Sequence, residues 1–347
     1  MEVKIKVLLD VYHYEVSKTT KNKNKVYNFE KYKMINIINI KKIIESGEYE
    51  IDKYNIFYIY EPKLRIIMSL DIANRIVDHY IAKYILIPKL DKYLDIRNVA
   101  SRKNMGMSYG IKLLKKYIEL NKKYNNLYVL KIDISKYFYS IEHNVLKSML
   151  VDVLDDDEYK LVCGFIDSTN KEYVNLRIDE IKKKLIKKSK NKKQVQEILD
   201  IPFYNYDKGL TIGNVCSQIL SIFYLSRLDF YIIHTLKCKY MVRYCDDIVI
   251  FNNDKELLKE VFKKIEYNLS EYKLKINKKK SFIVNIKNGF IFCGNYIKLD
   301  NNKTIINKCR SSRNKIKKNI RKREKMYKKG IISFEKYFSS INSYKNI

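Results

Sequence analysis

Two adjacent carboxylates, Asp246 and Asp247, are the residues of this chain best suited to chemistry. They follow Tyr244 and Cys245 and lie between two short β-prone runs, Tyr240-Met241-Val242-Arg243 and Ile248-Val249-Ile250-Phe251, a pattern that predicts a hairpin with paired acids at its tip. Neighbouring carboxylates repel one another, and a fold gains from keeping them together when a hard cation neutralises both. About 110 residues upstream, Leu130-Lys131-Ile132-Asp133-Ile134-Ser135-Lys136-Tyr137-Phe138 places a third acid at the end of another apolar strand, before a turn into a helix. Three such carboxylates suit a pair of Mg²⁺ ions roughly 3.5–4 Å apart, which clamp the attacking and leaving oxygens of an in-line phosphoryl displacement. Mg²⁺ takes few protein ligands and completes its shell with water and phosphate oxygens. Each part has a plainer reading as well: an Asp-rich turn at 246–247 and a helix-capping acid at 133.

The neighbouring segments place these acids in a family. The stretch around Asp133 resembles motif A of reverse transcriptases, and Tyr244-Cys245-Asp246-Asp247 resembles their YxDD motif C. Between them, Lys208-Gly209-Leu210-Thr211-Ile212-Gly213-Asn214-Val215-Cys216-Ser217-Gln218-Ile219-Leu220 is similar to motif B, a glycine-bearing turn running into a helix. Downstream, Leu274-Lys275-Ile276-Asn277-Lys278-Lys279-Lys280-Ser281 resembles motif D, and Phe292-Cys293-Gly294-Asn295-Tyr296 the primer grip of motif E. Towards the N-terminus, Glu61-Pro62-Lys63-Leu64-Arg65-Ile66-Ile67 is similar to the basic fingers strand that holds the incoming triphosphate. Asn74-Arg75-Ile76-Val77 and Ala100-Ser101-Arg102-Lys103-Asn104-Met105-Gly106 are similar to the fingers segments that follow. The resemblance runs from about residue 55 to residue 300, and the first 50 residues are not diagnostic.

The resemblance implies RNA-directed DNA synthesis and assigns roles. Asp133, Asp246 and Asp247, with the backbone carbonyl of Ile134, would hold two Mg²⁺ ions, with Mn²⁺ as a substitute. Lys63 and Arg65 would bind triphosphate oxygens, the Arg as a fork and the Lys as a point charge. Phe138 matches the aromatic gate beneath the sugar that leaves no room for a 2′-hydroxyl; its plain reading is a core aromatic. Gly213 and Gln218, with Ile212, would shape the surroundings of the templating base pair. Lys280 is placed to protonate the departing pyrophosphate, although the Lys278-Lys279-Lys280 run leaves the register open. Phe292, Cys293 and Gly294 would grip the primer, while Arg102, Lys103, Arg310, Arg313, Lys317 and Arg321 would contact nucleic acid.

Motif B carries the finer signal. Most bacterial relatives, group II intron enzymes among them, read QGxxxSP there, whereas this chain reads Ile212-Gly213-Asn214-Val215-Cys216-Ser217-Gln218. That form resembles the enzymes of diversity-generating retroelements and some defence-associated bacterial reverse transcriptases. In the mutagenic retroelements it accompanies misincorporation opposite template adenine.

Bulk properties agree with a nucleic-acid enzyme. Seventy Lys and Arg against 39 Asp and Glu give a net charge of +31, suited to a phosphate backbone and to salt-dependent binding. Heavy use of Lys, Asn, Ile and Tyr also fits AT-rich coding, which makes many of the lysines solvating ones. Six cysteines are scattered without CxxC or nearby His pairs, which suggests neither a zinc site nor a disulfide framework. Residues 1–16 mix charges into their apolar positions, and no apolar run approaches about 18 residues, so a signal peptide, a membrane span and a membrane partner are not expected. A cytoplasmic setting with reduced thiols is the default.

These readings add up to an α+β right-hand polymerase: fingers, an antiparallel-sheet palm with helices on one face, and a short helical thumb. Residues 1–126 are assigned to N-terminal helices and fingers, 127–300 to the palm, and 301–347 to a basic helical thumb. Apolar spacing predicts helices within 25–50 and 70–96, and the Lys-rich stretch 177–200 reads as a solvated surface helix. From Lys308 to Lys329, 12 of 22 residues are Lys or Arg, with Gly330 as C-cap and an amphipathic stretch at 331–338 able to fold back. The expected partners are a structured cognate RNA as template, a DNA or RNA primer and dNTPs; an accessory protein or a homo-oligomer is compatible with so lean a chain. Two other readings stand beside this one: a defence enzyme making DNA on a non-coding RNA or without a template, and a non-catalytic RNA-binding scaffold.

Overall fold

The computed structural model describes residues 2–60, 63–123, 126–189 and 191–345. A four-stranded antiparallel sheet lies at its centre, in the order β4-β5-β3-β6, formed by β3 (Tyr128–Asp133), β4 (Met241–Tyr244), β5 (Asp247–Asn252) and β6 (Phe282–Asn285). Alternation decides what each face meets. Leu130, Ile132, Met241, Ile248 and Ile250 point into the main core with Leu220 and Phe223 of the helix Val215–Tyr224 and with Leu258, Val261 and Ile265 of the helix Lys255–Glu271. Val129, Val242, Val249 and Phe251 point the other way, against Leu114 and Ile118 of the helix Met107–Asn121 and against Phe290, Phe292 and Ile297. The sheet is thus covered on both faces, not one, which is why its strands are apolar at consecutive positions. The helix Met107–Asn121, which a boundary at 126 places with the fingers, packs on this sheet.

On the main-core side, the helices Ile5–Val11, Lys33–Ser46 and Ile72–Tyr80 bury Leu8, Val11, Ile37, Ile40, Ile44, Ile76 and Val77 together. The undiagnostic N-terminal residues are therefore part of the main core. A separate antiparallel hairpin of β1 (Asn55–Tyr60) and β2 (Leu64–Ser69) rises beside them, and Glu61 and Pro62 at its tip lie outside the described residues. Met68 N donates to Ile212 O at 3.0 Å, tying this hairpin to the loop before the helix Val215–Tyr224.

The Lys-rich stretch is two helices, Glu172–Lys187 and Lys192–Leu199. Lys183, Lys184, Lys187 and Lys188 are exposed, as a solvated face requires, but Ile178 and Ile181 are buried and Lys182 is 7% exposed. Lys182 donates to Ile201 O at 2.8 Å and Leu199 O at 3.3 Å, neutralising the carbonyl end of the second helix. Tyr60 on β1 bonds Glu197, so the insertion braces the hairpin instead of lying free in solvent.

The segment after residue 300 begins with a strand, not a helix. β7 (Phe290–Phe292), β8 (Asn295–Asp300) and β9 (Lys303–Lys308) form a three-stranded antiparallel sheet whose last turn is Asn301-Asn302, both with positive φ. Two left-handed Asn residues are what a two-residue hairpin turn demands. The basic helix Arg310–Lys328 follows and ends at Gly330 (φ +67), with Gly330 N on Tyr327 O and Ile331 N on Met326 O, a paired C-terminal cap. The helix Phe334–Lys345 folds back along it, with Tyr337 stacked on Tyr327 at 5.1 Å. Among the described residues no helix is long and apolar enough to cross a membrane.

Candidate active site

The β3–β5 register sets Asp133 directly opposite Asp247, and the two-residue turn Cys245-Asp246 closes the β4–β5 hairpin beside them, with Cys245 at φ +54. All three acids therefore gather at one end of the sheet. Asp133 and Asp247 share parity with Lys131 and Val249, so they sit on the face that further along carries the second core.

The 274–281 loop fixes the end of β3. Asp133 N donates to Ser281 Oγ at 3.0 Å, Asn277 N donates to Asp133 O at 2.8 Å, and Ser135 N donates to Lys275 O at 2.8 Å. These bonds flank a bridge between Ile134 and Ile276, so the Ile134 carbonyl is not consumed by that bridge. Of the lysine run, Lys280 reaches the acids, its Nζ 2.8 and 2.9 Å from the two Asp133 oxygens. Lys63 belongs to the same cluster: burial first, then the Lys280 and Arg65 charges, lower its proton affinity, with Asp133 opposing.

Asp246 and Asp247 carry strain that a cation would relieve. Burial pushes Asp246 up, Asp133 adds to this, and Lys280 and Arg65 oppose it. Burial likewise raises Asp247 to about 7, despite Lys131 Nζ at 3.2 Å from its Oδ2. Asp247 Oδ1 is buried with no hydrogen-bond partner. Buried oxygen donors, one of them orphaned, with lysine ammoniums as counter-charges in contact, fit hard divalent cations.

The opposite face of the hairpin holds a residue that the sequence reading passed over. Arg243, read as part of an apolar run, is fully buried and donates to both oxygens of Asp229 at 2.7 and 2.5 Å, to Ile222 O at 2.9 Å and to Cys245 O at 3.0 Å. The last bond grips the turn that carries Asp246. Burial opposes the charge of Arg243, and the Asp229 carboxylate outweighs it. The outer edge of β4 is closed by Arg243 N on Arg97 O and Val99 N on Arg243 O.

The 208–220 segment is held by a second unread residue. Asp78, 2% exposed, accepts from Val215 N at 2.9 Å and Cys216 N at 3.0 Å, capping the helix that starts there. Gly213 has φ +121, and a Cβ there would lie 2.9 Å from Ile67 of β2, so a glycine is what lets the hairpin close on this loop. Gln218 is exposed and accepts from Ser101 Oγ at 3.1 Å. Phe138 is half-buried, its ring 5.9 Å from that of Tyr137, and its carbonyl accepts from Leu210 N.

Phe292 is wholly buried, and Cys293 and Gly294 turn β7 into β8, with Gly294 O accepting from Cys309 N at the start of the basic helix. Lys131 Nζ also donates to Ile291 O at 2.5 Å, which joins this turn to the acids. Arg310, Arg313, Lys317 and Arg321 are exposed on one face of their helix. Arg102 departs from the expectation of a nucleic-acid contact: its side chain is 11% exposed and engaged by Asp91, Asp95 O and Asn98 O, whereas Lys103 is exposed.

No curated protein matches the sequence. Among solved structures the fold is similar to that of apo telomerase from Candida tropicalis truncated from its C-terminal domain, at 15% identity and a TM-score of 0.50, over 79% of this chain and 60% of that one. Telomerase from Candida albicans in complex with a TWJ fragment of telomeric RNA matches at 15% identity and a TM-score of 0.49, over 77% of this chain and 47% of that one. The chain thus spans about 60% or less of the length of these two proteins. Residues 51–316 match the reverse transcriptase (RNA-dependent DNA polymerase) family, a span that includes all three acids, the basic hairpin and the start of the basic helix; the chain belongs to the reverse transcriptases, nucleotidyltransferases whose domains use divalent metal ions.

Proposed function

We propose that this chain copies RNA into DNA by adding dNTPs to a primer 3′-end. The observation that carries the reading is the convergence of Asp133, Asp246 and Asp247 on one sheet end with Lys63, Arg65 and Lys280 crowded against it. Asp133, Asp246, Asp247 and the Ile134 carbonyl would hold two Mg²⁺ ions, which when bound lower the pKa of the attacking hydroxyl and offset charge on the leaving pyrophosphate. Like charges at Lys63, Lys280 and Arg65 repel one another, and a triphosphate relieves that repulsion, so binding of dNTP is favoured at this spot. Its arrival gives Lys280 a phosphate partner in place of Asp133, in position to donate a proton to the departing group. The position of Phe138 in motif A supports a sugar-gate role, and the exposed face of Arg310, Arg313, Lys317 and Arg321 would offer charge to a template–primer backbone.

The Ile212–Gln218 form of the motif supports a bacterial retroelement enzyme of the diversifying or defence type, working on a cognate structured RNA. The deciding experiment is primer extension on RNA templates with Mg²⁺ and dNTPs, wild type against Asp246→Ala, with product sequencing. Template-complementary DNA lost in the variant is the expected result, and errors confined to template adenines would mark the diversifying class. DNA unrelated to the template would transfer the chain to the untemplated defence type, and no product on any template would leave an RNA-binding scaffold.

A further inference from the structure

A second group of ligand-type side chains lies apart from the catalytic acids, where the helix His143–Leu150 meets the loop leading to residues 208–220. His143 opens the helix His143–Leu150, Asp167 sits in the turn after the helix Asp156–Ile166, and Asp207 occupies the loop at φ +55. One ligand atom from each lies within 4.8 Å of the other two. His143 is fully buried, and its Nε2 is 2.8 Å from Gly209 O. A carbonyl only accepts, so Nε2 carries a proton and Nδ1 is the ring nitrogen left to face a metal ion. That Nδ1 is buried without a hydrogen-bond partner and lies 3.3 Å from Asp167 Oδ1. A lone pair facing a carboxylate is repulsive unless a cation stands between them or the ring takes a second proton.

We propose that His143, Asp167 and Asp207 form a site for one borderline divalent cation of the Zn²⁺ class, distinct from the Mg²⁺ site. Imidazole and carboxylate together suit such an ion. The supporting shell has the form that metal ligands need: the ring N–H is spent on a backbone carbonyl, and Asp207 is oriented by Asn170, whose Nδ2 donates to Asp207 Oδ1 and whose Oδ1 accepts from Asp207 N, both at 2.8 Å. Bound there, the ion ties the start of the helix His143–Leu150 to the loop before Gly213, reinforcing the bonds from His143 N to Asp207 O and from Leu210 N to Phe138 O. Lys147 Nζ, 2.6 Å from each Asp167 oxygen, is a competitor already in place, so the affinity is set by how far the ion can share Asp167 with an ammonium.

The test is Zn²⁺ titration against a chromophoric chelator, on the full chain carrying Asp133→Asn and Asp246→Asn so that the catalytic acids do not report. One equivalent should bind, Asp207→Asn should weaken it by about tenfold or more, and Lys147→Met should tighten it several-fold. His143→Gln is a second ligand variant, with circular dichroism to show that each protein is folded. Zn²⁺ uptake no greater than that of Asp207→Asn, or a Lys147→Met protein that melts earlier with no gain in affinity, overturns the site and assigns the cluster to a doubly protonated His143 in an ion-pair network. Because the readout is binding in a catalytically silenced chain, its failure and a failure of the polymerase reading are separate results.

Discussion

On the helical face of the central sheet, Arg243 and Asp229 pair with side chains 0% and 1% exposed, and the guanidinium fork is filled by four oxygens. On the other face, Lys131 and Asp247 are 13% and 21% exposed, Lys280 and Asp133 are 46% and 16% exposed, and Asp247 keeps an orphaned oxygen. The same end of the sheet thus carries one ion pair that no partner can enter and two that a better cation can replace. Arg supplies a rigid planar fork and Lys a movable point charge, and the fold has placed each accordingly. What separates scaffold from site is saturation of the carboxylate, not the presence of a salt bridge.

The largest effects should come from the replaceable side. Asp133→Asn and Asp246→Ala should each lower primer extension by about a thousandfold or more, while urea unfolding in EDTA shows no loss of stability, because removing one of several mutually repelling acids relieves strain. A comparable loss of folding stability would place these acids with Asp229, among structural groups. Next comes the saturated side. Asp229→Asn leaves Arg243 buried and unpaired and should cost about 3–5 kcal/mol in the urea transition. The double replacement Arg243→Met with Asp229→Leu should recover most of that stability, yet keep a depressed kcat at nearly unchanged KM for dNTP, since Cys245 O has lost its donor. If the double variant regains full activity, Arg243 stabilises the fold without positioning Asp246.

How much of this was legible follows from where each partnership lies. The hairpin could be read because its strands and turn are contiguous, and Asp133 because one apolar strand ends at it. Arg243 could not, since its partner is 14 residues away on a helix and its meaning depends on which face of β4 turns inward. Asp78 was equally silent: it caps a helix that begins 137 residues later. Arg102 looked like a nucleic-acid contact because a basic loop residue is usually solvated, and only the fold shows its fork spent on Asp91 and two carbonyls. The strand Lys303–Lys308 had a local signal in Asn301-Asn302, a good left-handed turn pair, which the density of nearby lysines obscured. The rule that runs of lysine are solvated holds at Lys183, Lys184, Lys187 and Lys188 and fails at Lys182, whose carbonyl partners lie 17 and 19 residues away.

A smaller effect tests the orphaned oxygen. Burial raises Asp247 from 3.8 to about 7, so the folded chain keeps a proton that the unfolded chain releases. The stability this group contributes is fully present below about pH 4 and is lost as pH rises towards 7. In EDTA, wild type should therefore become less stable from pH 5 to pH 8 relative to Asp247→Asn, and saturating Mg²⁺ should raise the wild-type melting temperature more at pH 8 than at pH 5. Parallel stability profiles for the two proteins would mean that Asp247 is solvated enough to ionise freely.

The smallest change, and the sharpest for the comparison, is Lys131→Met. Methionine keeps most of the apolar stem that packs beside Ile291 and deletes only the ammonium. In EDTA the variant should be destabilised, because Asp247 loses its ammonium partner and Ile291 O its donor. With Mg²⁺ present the deficit should shrink to about 1 kcal/mol or less, and the Mg²⁺ concentration giving half-maximal stabilisation should fall several-fold, since the metal no longer displaces or repels a resident charge. Applied to Arg243, the same deletion should show no such rescue, because no ion can reach Asp229. If Lys131→Met is equally destabilised with and without Mg²⁺, the lysine is a fixed structural partner, and the two faces of the hairpin differ in exposure but not in kind.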